Sequence, residues 1–256
     1  MRTALKEQEI GFDPYFRYRG MNVTRIEGFS DAAFALAITL LVLSSSVPST
    51  FHELWLSMAN AVPFLCCVIL IVLIWYQHYI FFLRYGLQDA KTIVINTTLL
   101  FLILVYVYPL KFLFKLVFEI YIALFSADAG VKMNKIFTET IRFDEAHILM
   151  VIYGVGACLI FSTLALFYRH ALTKKEALGL DEYEVYATRN SIYANLLLAA
   201  IPLLSAAIAM SQAFGGYTFT ISGFTYMLYP VVMPTFGVIH ARKKKKVIAR
   251  LGLESE

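Results

Sequence analysis

Charged side chains are scarce in this chain of 256 residues, of which 16% are charged and 59% are hydrophobic. A soluble globular domain does not need that much apolar surface, whereas membrane-spanning helices do. The composition therefore excludes an ordinary soluble domain and favours an all-α integral membrane protein.

Cysteine and clustered histidine are equally sparse. Three cysteines occur, Cys66, Cys67 and Cys158, and all lie within apolar stretches. They are typical of small core residues and not of a disulfide framework. The five histidines are scattered without an H-x-x-H cluster, so a metal site lacks its ligands. We expect no resident cofactor or metal.

Catalytic motifs are missing as well. No serine stands in a G-x-S-x-G context, and no glycine-rich phosphate loop occurs. The G-G-Y-T-F run at Gly215 lacks the T-V-G-Y-G loop whose carbonyls coordinate potassium, and is interpreted as a turn between spans. Without a convergent acid, base and nucleophile, we expect the protein not to be an enzyme.

Long apolar runs are what the chain does contain. Runs long enough to cross a hydrocarbon core of roughly 30 Å predict six transmembrane helices in a single domain over residues 1–256. They lie near residues 26–47, 56–83, 92–113, 146–169, 191–212 and 218–240.

The distribution of basic residues predicts the orientation. With six spans both termini share one side, and most of the 22 lysines and arginines fall on that side. The exceptions are Lys111, Lys115, Lys132, Lys135 and Arg142. Because positive charge stays cytoplasmic, we expect a multi-pass protein of the plasma (inner) membrane with both termini in the cytoplasm.

A basic run, Arg242–Lys246, follows the last predicted span. It could suggest nucleic acid, but no aromatic or glycine-rich RNA-binding pattern accompanies it. Contact with anionic lipid of the cytoplasmic leaflet, or a simple positive-inside stop, fits better. We therefore expect membrane lipids as partners and no nucleic acid.

The first span combines apolar length with ionisable groups. Arg25 and Asp31 stand six positions apart, about 120° around a helix, and cannot pair comfortably on one face. Charged groups near lipid are costly and usually face protein or a water path. Each therefore needs a partner from elsewhere, which predicts that this helix lies inside a bundle.

One face of the same helix carries a leucine stripe. Leu36, Leu40 and Leu43 lie within about 60° of one another, with Phe29 on the same side and Thr39 at the margin. Such a stripe is by default helix packing or lipid contact. Periodicity alone does not distinguish these possibilities from a pore lining.

The run Arg25, Phe29, Ser30 and Asp31 (R-x-x-x-F-S-D), followed by A-x-x-I-T-L-L-V-L, resembles the first helix of the endolysosomal potassium channel family in its bacterial branch. The resemblance continues with Trp75 and His78 as W-x-x-H near the end of the second span. It continues again with the N-x-x-L-L-F-L run after the start of the third. It covers roughly the first 110 residues.

The resemblance implies a polar network that holds the first three helices together around a pore. Its expected members lie at one membrane depth, where donors and acceptors on three helices can satisfy one another. They are Arg25, Ser30, Asp31, Trp75, His78 and Asn96, with Phe29 packing in the same motif. The plainer alternative is an arginine that snorkels to headgroups and a carboxylate at a helix start.

The resemblance also implies that the first helix lines the ion path in a homotetramer, so that three identical subunits are the partners of each chain. The expected constriction consists of Leu36, Thr39, Leu40 and Leu43. Leucine rings form a throat that stops ions by dewetting when tight. Thr39 offers the only side-chain oxygen there, although helical threonines often bond back to the i−4 carbonyl.

Two functions remain open from sequence alone. The leading one is a potassium-permeable cation channel of modest selectivity, with K⁺ as the permeant ion. The alternative is a secondary transporter of a small cation or solute, which would require discontinuous helices and charged residues at mid-depth in two inverted halves. The middles of the second to sixth spans carry no Asp, Glu, Lys or Arg, which disfavours ion-coupled transport.

Overall fold

Helices account for most of the residues that the computed structural model describes, which are 13–43, 47–59 and 61–253, and these residues form no β-strand. The helices are α1 (Arg25–Leu43), α2 (Phe51–Ala59), α3 (Ala61–Tyr85), α4 (Ala90–Leu124), α5 (Ala129–Lys135), α6 (Phe143–Thr173), α7 (Glu182–Ser211), α8 (Thr218–Phe224) and α9 (Tyr229–Leu251). The predicted all-α membrane fold is confirmed.

Five of these helices are long and apolar enough to cross a membrane, namely α1, α3, α4, α6 and α7. They match the first five predicted spans, because a long apolar run can satisfy its backbone in hydrocarbon only as a helix. Residues 44–46 of the first predicted span and residue 60 of the second lie outside the described residues, as do Arg2 and Lys6.

The region of the sixth predicted span is divided. Helix α8 ends at Phe224, a 3₁₀ turn covers Thr225–Leu228, and α9 then runs from Tyr229 to Leu251. Pro230 lies at the start of α9, where its missing N–H has no intrahelical partner to lose. The count of six spans therefore stays a prediction.

Helix α4 is the longest element, with 35 residues. At 1.5 Å per residue it measures about 52 Å, which exceeds a hydrocarbon core of roughly 30 Å. Its excess length packs with α5 and the short π-helix Ile136–Thr140 around a small second core that includes Leu116, Ile136 and Ala146. Residues 114–142 thus form a helical cap at that end of the bundle.

A segment before the first helix fastens the bundle at the other end. Residues 13–20 lie along the ends of α3 and α7, where Arg19 N–H donates to the carbonyl of Arg84 and Gly20 N–H to that of Leu83. A side chain at Gly20 would collide with the carbonyl oxygen of Phe82. The chain therefore enters α1 from a fixed point on α3.

Candidate functional site along the first helix

Helix α1 begins with a reciprocal cap. The hydroxyl and the N–H of Thr24 both donate to Glu27 Oε1, at 2.8 and 3.0 Å, and Glu27 N–H donates to the threonine hydroxyl at 3.3 Å. This T-x-x-E capping box satisfies donors that a helix start leaves without partners. The cap fixes the start of the helix, and the T-x-x-E pattern predicts this cap from the sequence alone.

The inner face of α1 packs against α3 and α4. Ser30, Phe34, Ala37 and Leu41 recur at three- and four-residue spacing and are all buried. This spacing places them on one side of a helix. The contact fixes the rotation of α1 about its axis within the subunit.

The opposite face of α1 is open in the single chain. Phe29 is 68% exposed, Leu36 49% and Leu43 71%, and Thr39 is also exposed. Leu40 lies at the edge of this face and is half-buried. Most of the residues expected in the constriction therefore face away from their own subunit, towards lipid or another chain.

Thr39 donates its hydroxyl hydrogen bond to the carbonyl of Ala35, one turn earlier, at 2.9 Å. This is the local bond that a helical threonine commonly makes. The hydroxyl oxygen keeps its lone pairs, because the bond uses only its proton. An exposed acceptor thus lies among the leucines of the open face.

Three predicted polar residues meet behind α1. Asn96 on α4 donates through Nδ2 to Ser30 Oγ at 2.9 Å and lies 2.8 Å through Oδ1 from Nε2 of His78 on α3. The hydroxyl of Ser30 donates a hydrogen bond to the carbonyl of Ile26 at 2.8 Å. All three side chains are buried, at 0%, 1% and 3% exposure for Ser30, His78 and Asn96.

This chain of hydrogen bonds assigns a role to each atom. The amide oxygen of Asn96 can only accept, so His78 carries its proton on Nε2. Donor and acceptor then alternate from α3 through α4 to α1. In a medium without water such a chain is worth most when every member is satisfied.

Asp31 and Trp75 form a separate contact. The indole Nε1–H of Trp75 donates to Asp31 Oδ1 at 2.8 Å, and the indole ring stacks on Tyr79 with centroids 5.8 Å apart. Asp31 is exposed and Trp75 half-buried. The pair lies beside the open face of α1, not within the buried chain of Ser30, Asn96 and His78.

In the single chain, Arg25 belongs neither to the buried chain of hydrogen bonds nor to the pair of Asp31 and Trp75. It is the first residue of α1, its side chain is exposed, and it makes no hydrogen bond to any other residue that the structure describes. The nearby positions that are bonded are Thr24 and Glu27, in the cap. The membership of Arg25 in the polar network therefore stays a prediction.

A lysine of α4 binds the C-terminal end of α1, and this contact was not predicted from the sequence. Lys111 of α4 donates through Nζ to the carbonyl of Leu41 at 2.8 Å. On the same helix, Lys115 pairs with Glu119 at 3.7 Å. A cation at a helix C-terminus meets carbonyls that lack intrahelical partners.

A buried ion pair lies where the N-terminal segment meets α7. Arg19 donates to both carboxylate oxygens of Glu184, at 2.9 and 2.6 Å, and the N–H of Arg17 donates to the same carboxylate at 2.9 Å. Glu184 is fully buried and also closes a capping box with Asp181. The D-x-x-E pattern could have revealed the cap, whereas the arginine comes from 165 residues away.

A second polar cluster ties the connection between α3 and α4 to α6. Asp89 accepts hydrogen bonds from Thr92 Oγ1 at 2.6 Å and from His170 Nε2 at 2.9 Å, and Lys174 Nζ lies 3.6 Å away. Burial alone would raise the pKa of Asp89. The hydrogen bonds and the neighbouring positive charges outweigh burial and hold this pKa well below its usual value of 3.8.

The basic run on α9 is mostly exposed. Arg242, Lys243, Lys245 and Lys246 face solvent, whereas Lys244 donates to Asp13 at 2.9 Å. Asp13 also accepts from the hydroxyl of Tyr183 at 2.5 Å. Across the described ranges, no group of three or more His, Cys, Asp and Glu residues could hold a metal ion.

Comparisons with known proteins point in one direction. Residues 25–109 match the family model described as endosomal/lysosomal potassium channel TMEM175. A protein of Marivirga tractuosa named potassium channel is 50% identical over 248 residues, which cover 94% of this chain and 97% of that protein. The crystal structure of the potassium channel MtTMEM175, a threonine-to-alanine variant in complex with a nanobody–MBP fusion protein, is 49% identical. It has a TM-score of 0.80 and covers 91% of this chain and 100% of that chain.

Proposed function

This chain belongs to the TMEM175 family and is a potassium-permeable channel of the membrane, and from that premise we propose that the open face of α1 lines its ion path. An ion channel is not an enzyme, and the similarity to potassium channels favours this function over the secondary transporter. The observation that carries the proposal is the exposure of Leu36, Thr39 and Leu43 opposite the buried face of the same helix.

A single subunit cannot enclose a pathway lined by one helix. The open face of α1 is convex, so closure requires several copies arranged around an axis. Closed cyclic symmetry satisfies this with one kind of contact repeated. We therefore propose a homotetramer, in which three identical subunits complete the pathway and cover the face that one chain leaves exposed.

The narrowest part of this pathway is then a stack of leucine rings. Leu36 and Leu43 are both exposed on the open face, and Leu40 lies at its half-buried edge. An apolar ring excludes water when it narrows, which stops ions without a moving plug. Apolar side chains cannot replace an ion's hydration shell, so selectivity for potassium over sodium is modest.

Thr39 supplies the oxygen of this stretch. Its hydroxyl proton is committed to Ala35, so the lone pairs remain available to a partly dehydrated cation. Four such oxygens at one depth form a polar layer between two apolar layers. This layer is the proposed site of discrimination among monovalent cations.

The polar contacts behind α1 act as architecture. Ser30, Asn96 and His78 hold α1 against α3 and α4, while Asp31 and Trp75 steady the same helices near the open face. Phe29, exposed in one chain, packs between subunits. These residues set the position of the leucine rings and do not contact the ion.

Both termini lie on one side in this proposal, which the excess of basic residues identifies as the cytoplasm of a plasma (inner) membrane protein. The exposed members of the Arg242–Lys246 run then lie near anionic headgroups, where each basic residue contributes about 1 kcal/mol of attraction. Lys244 is excluded from this role by its pairing with Asp13.

Planar-bilayer recording of the purified protein tests the pathway. Replacing Leu36 with alanine widens the proposed throat and should raise the unitary potassium conductance at least twofold. Leu166 on α6 has nearly the same exposure, 47% against 49%, so Leu166→Ala is a matched control and should leave the conductance unchanged. Unaltered current in both Leu36→Ala and Leu43→Ala would remove the assignment of the pore to α1.

A further inference from the structure

A half-open cavity of about 540 Å³ lies between the helices of the subunit, away from the open face of α1. It is bounded by α3, α4, α6, α7 and the start of α9. Leu70 and Tyr106, near the middle of α3 and α4, are among its walls, so the cavity lies at mid-depth of the membrane-spanning helices. Its volume falls in the range of roughly 300–1,000 Å³ that is typical of small-molecule sites.

The walls of the cavity are apolar and aromatic. They include Leu73, Phe114, Ala157, Phe161, Tyr226 and Tyr229, and none of the described Asp, Glu, Lys, Arg or His residues lines the cavity. A charged group inside it would lack a counter-charge in a medium of low polarity, at a cost of several kcal/mol. An occupant must therefore be neutral.

Polar groups on the walls include the hydroxyl of Tyr153 and the side-chain amide of Gln77. The hydroxyl of Tyr153 is buried without a hydrogen bond, in a residue that is 2% exposed. Gln77, on α3, makes no hydrogen bond to another described residue. By contrast, Tyr106 donates to the carbonyl of Tyr153, and Tyr229 donates to that of Leu198 at 2.8 Å.

These two groups narrow the choice of occupant. An unsatisfied hydroxyl or amide in hydrocarbon costs a few kcal/mol, which a hydrogen-bonding ligand recovers. Water alone fits poorly, because a stable buried water needs two to four polar partners and most of this cavity offers none. We propose that the cavity binds a neutral single-chain amphiphile from the bilayer, whose one hydroxyl pairs with Tyr153 or Gln77 and whose chain fills the apolar remainder.

Photoaffinity labelling of the full-length protein in liposomes tests this proposal. The probes are a diazirine-bearing hexadecanol and the matching diazirine-bearing hexadecane, and mass spectrometry locates the labelled residues. The alcohol should label the cavity walls saturably and be displaced by unlabelled hexadecanol. Equal labelling by the two probes, or labels confined to the outer lipid-facing surface, would overturn the proposal.

A pair of variants on α6 tests the location. Ala157→Phe fills the cavity and should lower labelling by the alcohol at least tenfold. Val155→Phe adds the same ring two residues away on a face that is 41% exposed, and should leave labelling unchanged. Equal labelling of both variants would place the ligand elsewhere.

Removal of the polar groups tests recognition without relying on a larger side chain. Tyr153→Phe keeps the ring and removes the hydroxyl, and Gln77→Leu removes the amide. Combined, they should weaken labelling by the alcohol roughly 2- to 10-fold, as expected for a lost hydrogen bond, and leave labelling by the hydrocarbon unchanged. Equal loss for both probes would show a collapsed cavity and contradict recognition of the hydroxyl.

Discussion

Nε2 of His78 and Oδ1 of Asn96 lie 2.8 Å apart where α3 meets α4, and the amide nitrogen of the same asparagine donates to Ser30 on α1. One side chain thus connects three helices. Removing it leaves Nε2 of the buried His78 without its partner and takes one of the hydrogen bonds of Ser30, which keeps its bond to Ile26. Losing a buried partner costs more than the loss of a single exposed bond.

The first prediction concerns this asparagine. Asn96→Leu keeps the approximate volume and removes both contacts, so we expect the protein to lose about 2–4 kcal/mol of stability, seen as a lower midpoint of thermal unfolding in detergent. Thr97→Val is the matched control, because Thr97 is exposed and its hydroxyl donates to the carbonyl of Ile93 in its own helix. Equal midpoints for the two variants would exclude a structural role for the three-helix contact.

The second prediction concerns the pair of Asp31 and Trp75. Trp75→Phe removes the indole N–H and Asp31→Ala removes its acceptor, so each single variant loses the same bond. We expect each to lower the fraction of assembled protein in size-exclusion chromatography with light scattering. The double variant should be no worse than the more affected single variant, because the bond can be lost only once. Additive losses would show that the residues act independently.

The third prediction concerns Glu184. Breaking a buried ion pair costs roughly 3–5 kcal/mol, so Glu184→Gln should release the N-terminal segment and speed trypsin cleavage after Arg17 and Arg19 by about 100-fold. Glu182 is in the same helical turn and pairs with Arg250 at the surface, with 59% of its side chain exposed. Glu182→Gln should change cleavage little, since such pairs contribute about 0–1 kcal/mol. A similar rate in both variants would contradict the clamp.

The fourth prediction concerns acid. The pKa of Asp89 is lowered in the folded protein, so its carboxylate contributes stability above the unfolded value near 3.8, and this contribution is lost as pH falls through the folded pKa. We expect the difference in unfolding midpoint between wild type and Asp89→Asn to be constant above about pH 5 and to shrink below about pH 4. Asp128, exposed and without a side-chain cap bond, provides the control Asp128→Asn. A difference that does not vary with pH would rule out the ionised cluster.

Much of the fold could be predicted because it follows from local apolar length. The first five spans were found, and the residues Ser30, His78 and Asn96 were expected at one depth and do meet. The break at Thr225–Leu228 was not expected, since the apolar run continues through it unchanged. Hydropathy predicts which segments can cross a membrane, but it does not predict whether their backbone is a regular α-helix.

Contacts between distant parts of the chain could not be predicted from the sequence. Arg19 was counted only as a positive charge, and its partner Glu184 follows 165 residues later. Lys111 was likewise counted only as a positive charge, whereas in the structure it donates a hydrogen bond to the carbonyl of Leu41 on another helix. A charge pattern on one helix cannot reveal which other helix will lie against it. The leucine stripe of α1 could be predicted from helical periodicity, whereas its exposure in the single chain could not.

Helices α6 and α7 approach so closely at Gly154 that a methyl group there would collide with the carbonyl oxygen of Pro202 and the side chain of Ala206. Next to it, a methyl group on Gly156 would strike the ring of Tyr106 on α4. Surfaces fitted this tightly do not slide in small steps, because close-packed interiors shift between discrete arrangements. Any rearrangement that widens the channel must therefore carry α6 and α7 together as one rigid body.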